Sequence, residues 1–187
     1  MSNRSRWQRI ARRIRVPLGF VFTAVFLFLA RPSAESLLVS LLLVLPGLWL
    51  RAFAAGYVKK NQELTTTGPY AYTRNPLYLG SMLIAFGFAA ASESWILIVL
   101  LATLFFSIYL PTIRSEEQFL RGQFPGFDAY AREVPRLFPR ITPAPSARSA
   151  GVFSRERYLH HREYNSSIGA AAIYAVLLLR LLLSRHR

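Results

Sequence analysis

The sequence of 187 residues contains no cysteine. Disulfide bonds, thiolate nucleophiles and metal sites with cysteine ligands are therefore excluded. Histidine is also scarce: His160 and His161 are adjacent in a basic stretch, and His186 lies in the tail. Because a metal site needs clustered ligands, no metal centre is expected, and the histidines are interpreted as contacts to lipid headgroups.

Several signatures of other protein classes are missing as well. The chain has no GxGxxG pattern, no P-loop and no GxSxG pattern, so a soluble nucleotide-binding fold or a serine hydrolase finds no support. Glu35, Glu93 and Glu116 lie at the ends of apolar segments rather than inside them. Since carboxylates inside membrane segments are the usual sign of ion transport, that function is not supported either.

Apolar residues, in contrast, are abundant and clustered. They make up 53% of the chain, whose mean hydropathy is +0.29, and they form runs that approach the roughly 20 residues needed to span a bilayer. The five runs are about 16–30, 37–55, 77–92, 95–113 and 168–184. The predicted fold class is an all-α polytopic membrane protein with about five transmembrane helices and a catalytic segment on the cytoplasmic side.

The 23 lysines and arginines are distributed unevenly. Six lie in residues 1–15, four in 51–76 and nine in 114–165, whereas loops 31–36 and 92–95 hold one and none. Basic residues near helix ends are retained on the cytoplasmic side. The N-terminus and both longer polar segments are therefore predicted to be cytoplasmic, in a membrane expected to be the bacterial inner membrane.

The last helix does not fit this alternation. The last helix and the tail contain Arg180, Arg185 and Arg187. If the chain crosses the membrane five times, this end of the chain would lie on the non-cytoplasmic side. Either the last segment is tilted, re-entrant or peripheral, or the earlier helices override its charges. The net charge of +14 is attributed to contact with anionic headgroups rather than nucleic acid, because the basic residues lie between apolar runs.

The chain is interpreted as one membrane domain, 1–187. The basic N-terminus is expected to stay as part of the first helix, since no small-residue cleavage site follows the apolar run. The parts of the domain are a basic N-terminus (1–15), a four-helix membrane core (16–113), a cytoplasmic catalytic segment (114–141), a linker (142–165) and a C-terminal helix (166–187).

A dense polar motif, GPYAYTRNPLYLG, occupies residues 68–80 between two apolar runs. Gly68-Pro69 starts a turn, and Pro76 disfavours a helical Asn75, so the third helix is predicted to begin at Pro76 or just after it. The tyrosines suit an aromatic belt at the membrane interface. The density of one cation, one amide and three phenols on a bent backbone also favours a polar ligand, and both interpretations stay open.

A second polar group follows the fourth apolar run, with Arg114 and then Glu116 and Glu117. Adjacent carboxylates point in different directions on a helix, so at most one is expected to face a given pocket. The simpler alternative is a solvated helix start in which one glutamate pairs with Arg121. Apolar residues then recur at intervals that predict one amphipathic helix; they are Phe119, Leu120, Phe124, Phe127, Tyr130, Val134, Leu137 and Phe138.

Together the two motifs resemble a known family. GPYAYTRNPLYLG is similar to the signature G-P-Y-x-x-x-R-H/N-P-x-Y-x-G, and EEQFLRGQFPGFDAYAREVPRLFP resembles a signature that runs from E-E-x-x-L to V-P-R-x-x-P. Both signatures are those of the isoprenylcysteine carboxyl methyltransferase and phospholipid methyltransferase family of integral membrane enzymes. The resemblance covers about residues 50–140 and implies a helical membrane fold that encloses S-adenosylmethionine at its cytoplasmic side, with lateral entry of a lipid.

The resemblance also implies which residues form the site. Arg74 can fork onto the cofactor's carboxylate, Glu116 or Glu117 can take its ammonium group, and Arg114 can steer an anionic acceptor toward the methyl group. The implied catalytic residues are Arg74, Arg114 and Glu117. The implied cofactor-binding residues are Tyr70, Tyr72, Arg74, Asn75, Pro76, Tyr78, Leu79, Glu116 and Glu117. Asn75 stands where many members have histidine, so no proton transfer is expected there.

The expected function is S-adenosylmethionine-dependent methyl transfer to a lipid or lipid-like acceptor, such as an isoprenylcysteine carboxylate or a phospholipid amine, with membrane lipids as partners. One alternative is an NADPH-dependent membrane reductase related to sterol reductases. Another is a small transporter or assembly protein without enzymatic activity. The tail lies beyond the resemblance and is interpreted either as an accessory helix or as a wall of the substrate tunnel that includes Arg162, Glu163, Tyr164 and Asn165.

Overall fold

The computed structural model of the protein describes residues 6–59, 62–145 and 151–185. Within these ranges it is all-helical, with 75% helix and no strand, so the predicted all-α class is confirmed. The helices are α1 (Arg6–Leu29), α2 (Ala34–Tyr57), α3 (Pro76–Ala91), α4 (Trp95–Leu104), α5 (Leu110–Gln123), α6 (Phe127–Glu133), α7 (Arg155–His160) and α8 (Tyr164–Arg185). A 3₁₀ turn over Gly68–Ala71 precedes α3, and a π-helical turn over Phe105–Tyr109 joins α4 to α5.

The protein is an integral membrane protein by the length and composition of its helices. Ala34–Tyr57, Trp95–Gln123 and Tyr164–Ser184 are long and apolar enough to cross a bilayer, with mean hydropathies of 2.1, 2.4 and 2.0. Pro17–Leu29 and Pro76–Ala91 are shorter apolar helices. Large apolar side chains on these helices stay exposed, which suits contact with lipid rather than water. All five predicted runs are helical, and three meet the length of a span.

The described residues group into two compact units. The first contains those of Met1–Val44, Ala85–Phe119 and Ala170–Arg187, and the second contains those of Leu45–Ile84 and Leu120–Gly169. Helices α2, α3, α5 and α8 each contribute residues to both units. The interpretation of the chain as one membrane domain therefore stays a prediction.

An arginine of α8 in the first unit has partners that account for its place in an apolar helix. Arg180 donates to the carbonyl oxygen of Leu27 and, at 3.0 Å, to that of Phe28. Both carbonyls belong to the last turn of α1, where helix carbonyls lack partners and carry partial negative charge. This contact gives the arginine hydrogen-bond partners inside the protein.

Two segments outside the predicted membrane core are also helical. The basic stretch is helical from Arg6, the first described residue, and continues into the apolar run as one helix, since arginine is a good helix former. The predicted linker contains α7, whose first turn is capped: Arg157 N donates to the Ser154 hydroxyl at 3.2 Å. A serine at this position satisfies an N–H group that has no partner within the helix.

Residues 119–138 do not form one amphipathic helix, so that prediction is wrong. Helix α5 ends at Gln123, and a turn containing Pro125 separates it from α6. Proline lacks an N–H group, and its ring clashes with the carbonyl four residues earlier, which prevents a continuous helix. Several apolar residues instead form a small core in the second unit, namely Phe127, Tyr130, Val134 and Ala144, with Leu64, Leu120 and Ala131 packed against it.

Two glycines allow α2 and α3 to pack closely in the second unit. A Cβ atom on Gly47 would lie 2.8 Å from the carbonyl oxygen of Gly80 and 2.8 Å from Cγ1 of Ile84. A Cβ atom on Gly80 would lie 2.8 Å from the carbonyl oxygen of Gly47. Because backbone atoms cannot give way as a side chain can, neither position has room for a larger residue.

We expect Gly80→Ala to lower the stability of the protein, because the added methyl group would force α2 and α3 apart. Overpacking of this kind destabilises by about 1–3 kcal/mol, which outweighs the gain of about 1 kcal/mol from replacing glycine by alanine in a helix. The measurement is the thermal unfolding midpoint in detergent, followed by circular dichroism. Gly169→Ala is the control, since a Cβ atom there meets nothing within 4 Å; equal midpoints for the two variants would contradict the close packing.

Candidate functional site

The candidate site is built on the connector, residues 68–80. Gly68 has a φ of +60°, a left-handed conformation that glycine adopts without steric penalty. The 3₁₀ turn that follows is closed by a hydrogen bond of 3.2 Å from Tyr72 N to the Pro69 carbonyl. Helix α3 then begins at Pro76, as predicted, because a missing N–H group is harmless in the first turn of a helix.

A second segment of the same unit, the clasp (residues 130–144), holds the connector in place. Four hydrogen bonds join the main chain of the connector to the clasp: from Arg74 N to Pro135 O (2.9 Å), from Arg140 N to Tyr72 O (2.9 Å), from Ala144 N to Ala71 O (3.0 Å) and from the Tyr130 hydroxyl to Tyr70 O (2.7 Å). Tyr70, Ala71 and Thr73 are buried, and buried main-chain polar groups need such internal partners. The connector is therefore a fixed element.

The guanidinium group of Arg74 fastens the connector to α6. Its Nη1 donates to the carbonyl oxygens of Ala131 at 2.7 Å and Val134 at 3.1 Å. These carbonyls lie at the C-terminal end of α6, where the helix dipole and the unpaired oxygens favour a cation. Arg74 thus organises the site, and its predicted contact with the cofactor's carboxylate stays a prediction.

Two neighbouring side chains add further bonds to the clasp. Asn75 Nδ2 donates to the carbonyl oxygen of Arg136 at 2.9 Å, and the Thr73 hydroxyl donates to that of Leu137 at 3.0 Å. Thr73 is buried, with 1% of its surface exposed. An amide is a suitable donor to a main-chain carbonyl because it does not titrate, which gives Asn75 a role that a proton-transferring residue would not fill as well.

The other connector residues predicted to bind the cofactor differ in burial. Tyr70, Pro76 and Leu79 are buried, whereas Tyr72 and Tyr78 are half-buried. Tyr70 contributes its main-chain carbonyl to the clasp through the bond described above. Of this set, Tyr72 and Tyr78 have ring surface left for contact with another molecule.

The structure places the remaining predicted site residues, Arg114, Glu116 and Glu117, on α5 in the first unit, whereas the connector lies in the second. Glu117 is 5% exposed, and Arg114 and Glu116 are exposed. One carboxylate is therefore buried and its neighbour is not, as the helical geometry predicts. Burial excludes Glu117 from the solvated helix start, and Arg121 pairs with Asp128 at 2.7 Å.

The sequence did not predict a cluster in the second unit, the Arg51 cluster, made of Arg51, Ser81, Glu163 and Ser166. Of these residues only Glu163 was named from the sequence, in the alternative in which the tail forms a wall of the substrate tunnel. Nε of Arg51 donates to Oε1 of Glu163 at 2.6 Å and to the Ser166 hydroxyl at 3.2 Å. The available signal was an arginine inside the second apolar run, where an ionisable side chain is expensive and commonly functional. Nothing in the sequence indicated its partner.

The second unit also has an apolar groove of about 220 Å³ next to α2. The rings of Trp49 and Phe53 stack at 5.1 Å, and those of Phe53 and Phe153 at 5.9 Å. Phe153 lies against Gly56, where a Cβ atom would come within 2.2 Å of its ring. The groove is lined by Trp49, Ala52, Phe53, Phe153 and Tyr158, and its surface is almost entirely apolar. Such a surface is poorly suited to orient a polar cofactor, so the connector is the better candidate for that role.

Among the described residues, no group of three or more histidine, aspartate or glutamate side chains could hold a metal ion.

Two curated proteins are nevertheless similar to this chain and carry names that refer to metals. The nickel-cobalt-cadmium resistance protein NccN of Alcaligenes xylosoxydans xylosoxydans is 42% identical over 95 residues, which is 51% of this chain and 44% of that protein. The cobalt-zinc-cadmium resistance protein CzcN of Cupriavidus metallidurans is 40% identical over 95 residues, or 51% of this chain and 43% of that protein. The alignments cover less than half of either relative.

No solved structure matches the chain significantly. Residues 36–126 match the model of the phospholipid methyltransferase family. This range includes the connector and the Glu116-Glu117 pair, and it ends before the clasp. Over residues 36–126 the chain is therefore similar to the phospholipid methyltransferase family, and the resemblance indicated by the two motifs is confirmed.

Proposed function

We propose that the protein transfers a methyl group from S-adenosylmethionine to a lipid or lipid-like acceptor in the membrane. One observation carries the proposal: the family match includes the connector, and the connector is a fixed polar element in a protein whose long helices are apolar. A preorganised polar segment of this kind lowers the entropic cost of binding a polar cofactor.

The reaction depends more on the positioning of the cofactor and the acceptor than on acid-base chemistry. In an in-line displacement, a lone pair of the acceptor forms a bond to the methyl carbon while the bond from sulfur to that carbon breaks, and sulfur keeps the electron pair. Correct alignment of the reacting atoms supplies much of the acceleration, and exclusion of water supplies more. A rigid connector meets the first requirement.

In the proposed reaction, the partly exposed rings of Tyr72 and Tyr78 offer faces to the adenine or to the cationic sulfur. Glu117 takes the cofactor's ammonium group, and its burial strengthens such a charge-assisted bond. Arg114 is exposed and guides the anionic group of the acceptor. The acceptor class is an isoprenylcysteine carboxylate or a phospholipid amine, as the family resemblance implies.

The proposed location is the bacterial cytoplasmic membrane, with the N-terminus and the connector on the cytoplasmic side. The distribution of lysine and arginine along the sequence supports this orientation. S-adenosylmethionine is a polar, water-soluble molecule, so its site must open to an aqueous compartment.

The names of the two similar proteins favour a second, broader role in metal resistance. Methylation of an envelope lipid changes its headgroup charge and hydrogen bonding, and these properties affect how a membrane binds divalent cations. The test is growth of a deletion strain on graded cobalt, zinc and cadmium, complemented with the wild-type chain or with Glu117→Gln. We expect the wild type alone to restore growth; equal rescue by the variant would separate the resistance role from methyl transfer.

Calorimetry with S-adenosylhomocysteine tests the cofactor proposal directly. We expect saturable binding to the detergent-purified protein, weakened about 10- to 100-fold by Glu117→Gln, because a hydrogen bond to a charged group contributes about 1.5–3 kcal/mol. Glu116→Gln is the matched control and should bind almost as the wild type does, since Glu116 is exposed. Saturable binding of NADPH instead would favour the reductase alternative, and no binding in several detergents would overturn the proposal.

Arg74→Ala should reduce both cofactor binding and stability, because the same guanidinium group holds the end of α6. Loss of a bond from a charged donor destabilises by about 1.5–3 kcal/mol, so the thermal unfolding midpoint should fall clearly. The exposed Arg114 provides the comparison: Arg114→Ala should keep the midpoint and raise KM for the acceptor. A normal midpoint in Arg74→Ala would contradict its structural role.

A further inference from the structure

The Arg51 cluster links the C-terminal part of the chain to the connector. We propose that Glu163 is a positioning residue that acts through Arg51 to hold the first turn of α3 where cofactor binding requires it. This inference rests on the proposed function, because it assigns Glu163 to the same site. Glu163 lies outside residues 36–126, the range matched by the family model.

The ion pair is largely withdrawn from solvent. The side chain of Glu163 is 9% exposed and that of Arg51 is 22% exposed. Arg51 lies within α2, a helix of mean hydropathy 2.1. Placing two charges in such surroundings is energetically costly unless they are paired and hydrogen-bonded. Here Nε of Arg51 lies 2.6 Å from Oε1 of Glu163.

Arg51 uses different nitrogens for its two sets of partners. Nε binds Glu163 and the Ser166 hydroxyl, which itself donates to Oε1 of Glu163 at 2.6 Å. Nη1 donates to the Ser81 hydroxyl and, at 3.3 Å, to the carbonyl oxygen of Leu77. The planar fork of one guanidinium therefore connects the start of α8 with the start of α3.

Leu77 and Ser81 place this contact on the connector. Leu77 follows Pro76 directly in the first turn of α3, and the Ser81 hydroxyl also donates to the Leu77 carbonyl at 2.9 Å. The turn carries Tyr78 and Leu79, both predicted to bind the cofactor. A shift of this turn would move their side chains, whereas the bonds to the clasp constrain the residues before Pro76.

Gly80 provides the path along which Arg51 reaches this turn. A Cβ atom on Gly80 would lie 2.5 Å from Cγ of Arg51, so the arginine side chain passes directly over the glycine. The last residue of the connector motif is thus adapted to the arginine of α2. The connector has two supports: the clasp holds its first part, and the Arg51 cluster holds its last.

The test compares Arg51→Lys, Glu163→Gln and the control Glu156→Gln, an exposed glutamate of the same C-terminal region. The readouts on detergent-purified full-length protein are the thermal midpoint and the Kd for S-adenosylhomocysteine. Lysine can keep the ion pair with Glu163, but its single ammonium cannot reproduce the fork. We expect Arg51→Lys to lower the midpoint less than Glu163→Gln does, because the ion pair is kept, while its Kd rises roughly tenfold or more, because small misplacements weaken a preorganised site.

Glu163→Gln should raise Kd and lower the midpoint, since it leaves Arg51 without its counter-charge, and Glu156→Gln should change neither. Wild-type affinity in Arg51→Lys, or losses of affinity that simply follow losses of stability in both variants, would overturn the positioning role. Failure of the wild type to bind S-adenosylhomocysteine would instead overturn the proposed function. In that event amide hydrogen exchange still decides the positioning: faster exchange at residues 77–81 in Arg51→Lys is expected, and equal rates would contradict it.

Discussion

Main-chain hydrogen bonds between the connector and the clasp are the interaction on which the candidate site depends. The connector turns twice within a few residues, at Gly68 and at Pro76, so its main chain cannot satisfy its own polar groups as a helix does. Because Tyr70, Ala71 and Thr73 are buried, those groups need partners inside the protein. The clasp supplies them, and Arg74 reinforces the arrangement by binding the end of α6.

This dependence explains which features could be predicted from the sequence. The apolar runs predicted five helical segments, and the proline of the Asn75-Pro76 step predicted where α3 begins. The break at Pro125 was visible in the sequence, but the spacing of the apolar residues around it favoured a continuous amphipathic helix. The structure shows that the spacing serves a small core rather than one helix.

The contacts that hold the site could not be predicted in the same way. The acceptors for Arg74 and Asn75 are main-chain carbonyls of the clasp, and main-chain groups are present at every residue, so no side-chain pattern marks them. Arg51 and Glu163 are separated by 112 residues in the chain. An arginine in an apolar run indicates that a hydrogen-bonding or oppositely charged partner lies nearby. Only the fold identifies that partner as Glu163.

The hydrogen-bonded surroundings of the candidate site thus extend beyond the range that matches the family. The match covers the connector and the glutamate pair, while the clasp and Glu163 follow it in sequence. The C-terminal part therefore supports the polar centre of the second unit, in addition to providing the apolar helix α8. An accessory helix alone would not need a buried carboxylate paired with an arginine of α2.

Binding of the cofactor by the connector, as proposed above, can be measured by ultraviolet cross-linking of radiolabelled S-adenosylmethionine to the detergent-purified protein, followed by mass spectrometry of the labelled peptides. We expect label within residues 68–80 that is competed by S-adenosylhomocysteine. Competed label confined to other peptides, such as those of the aromatic groove around Phe153, would contradict it.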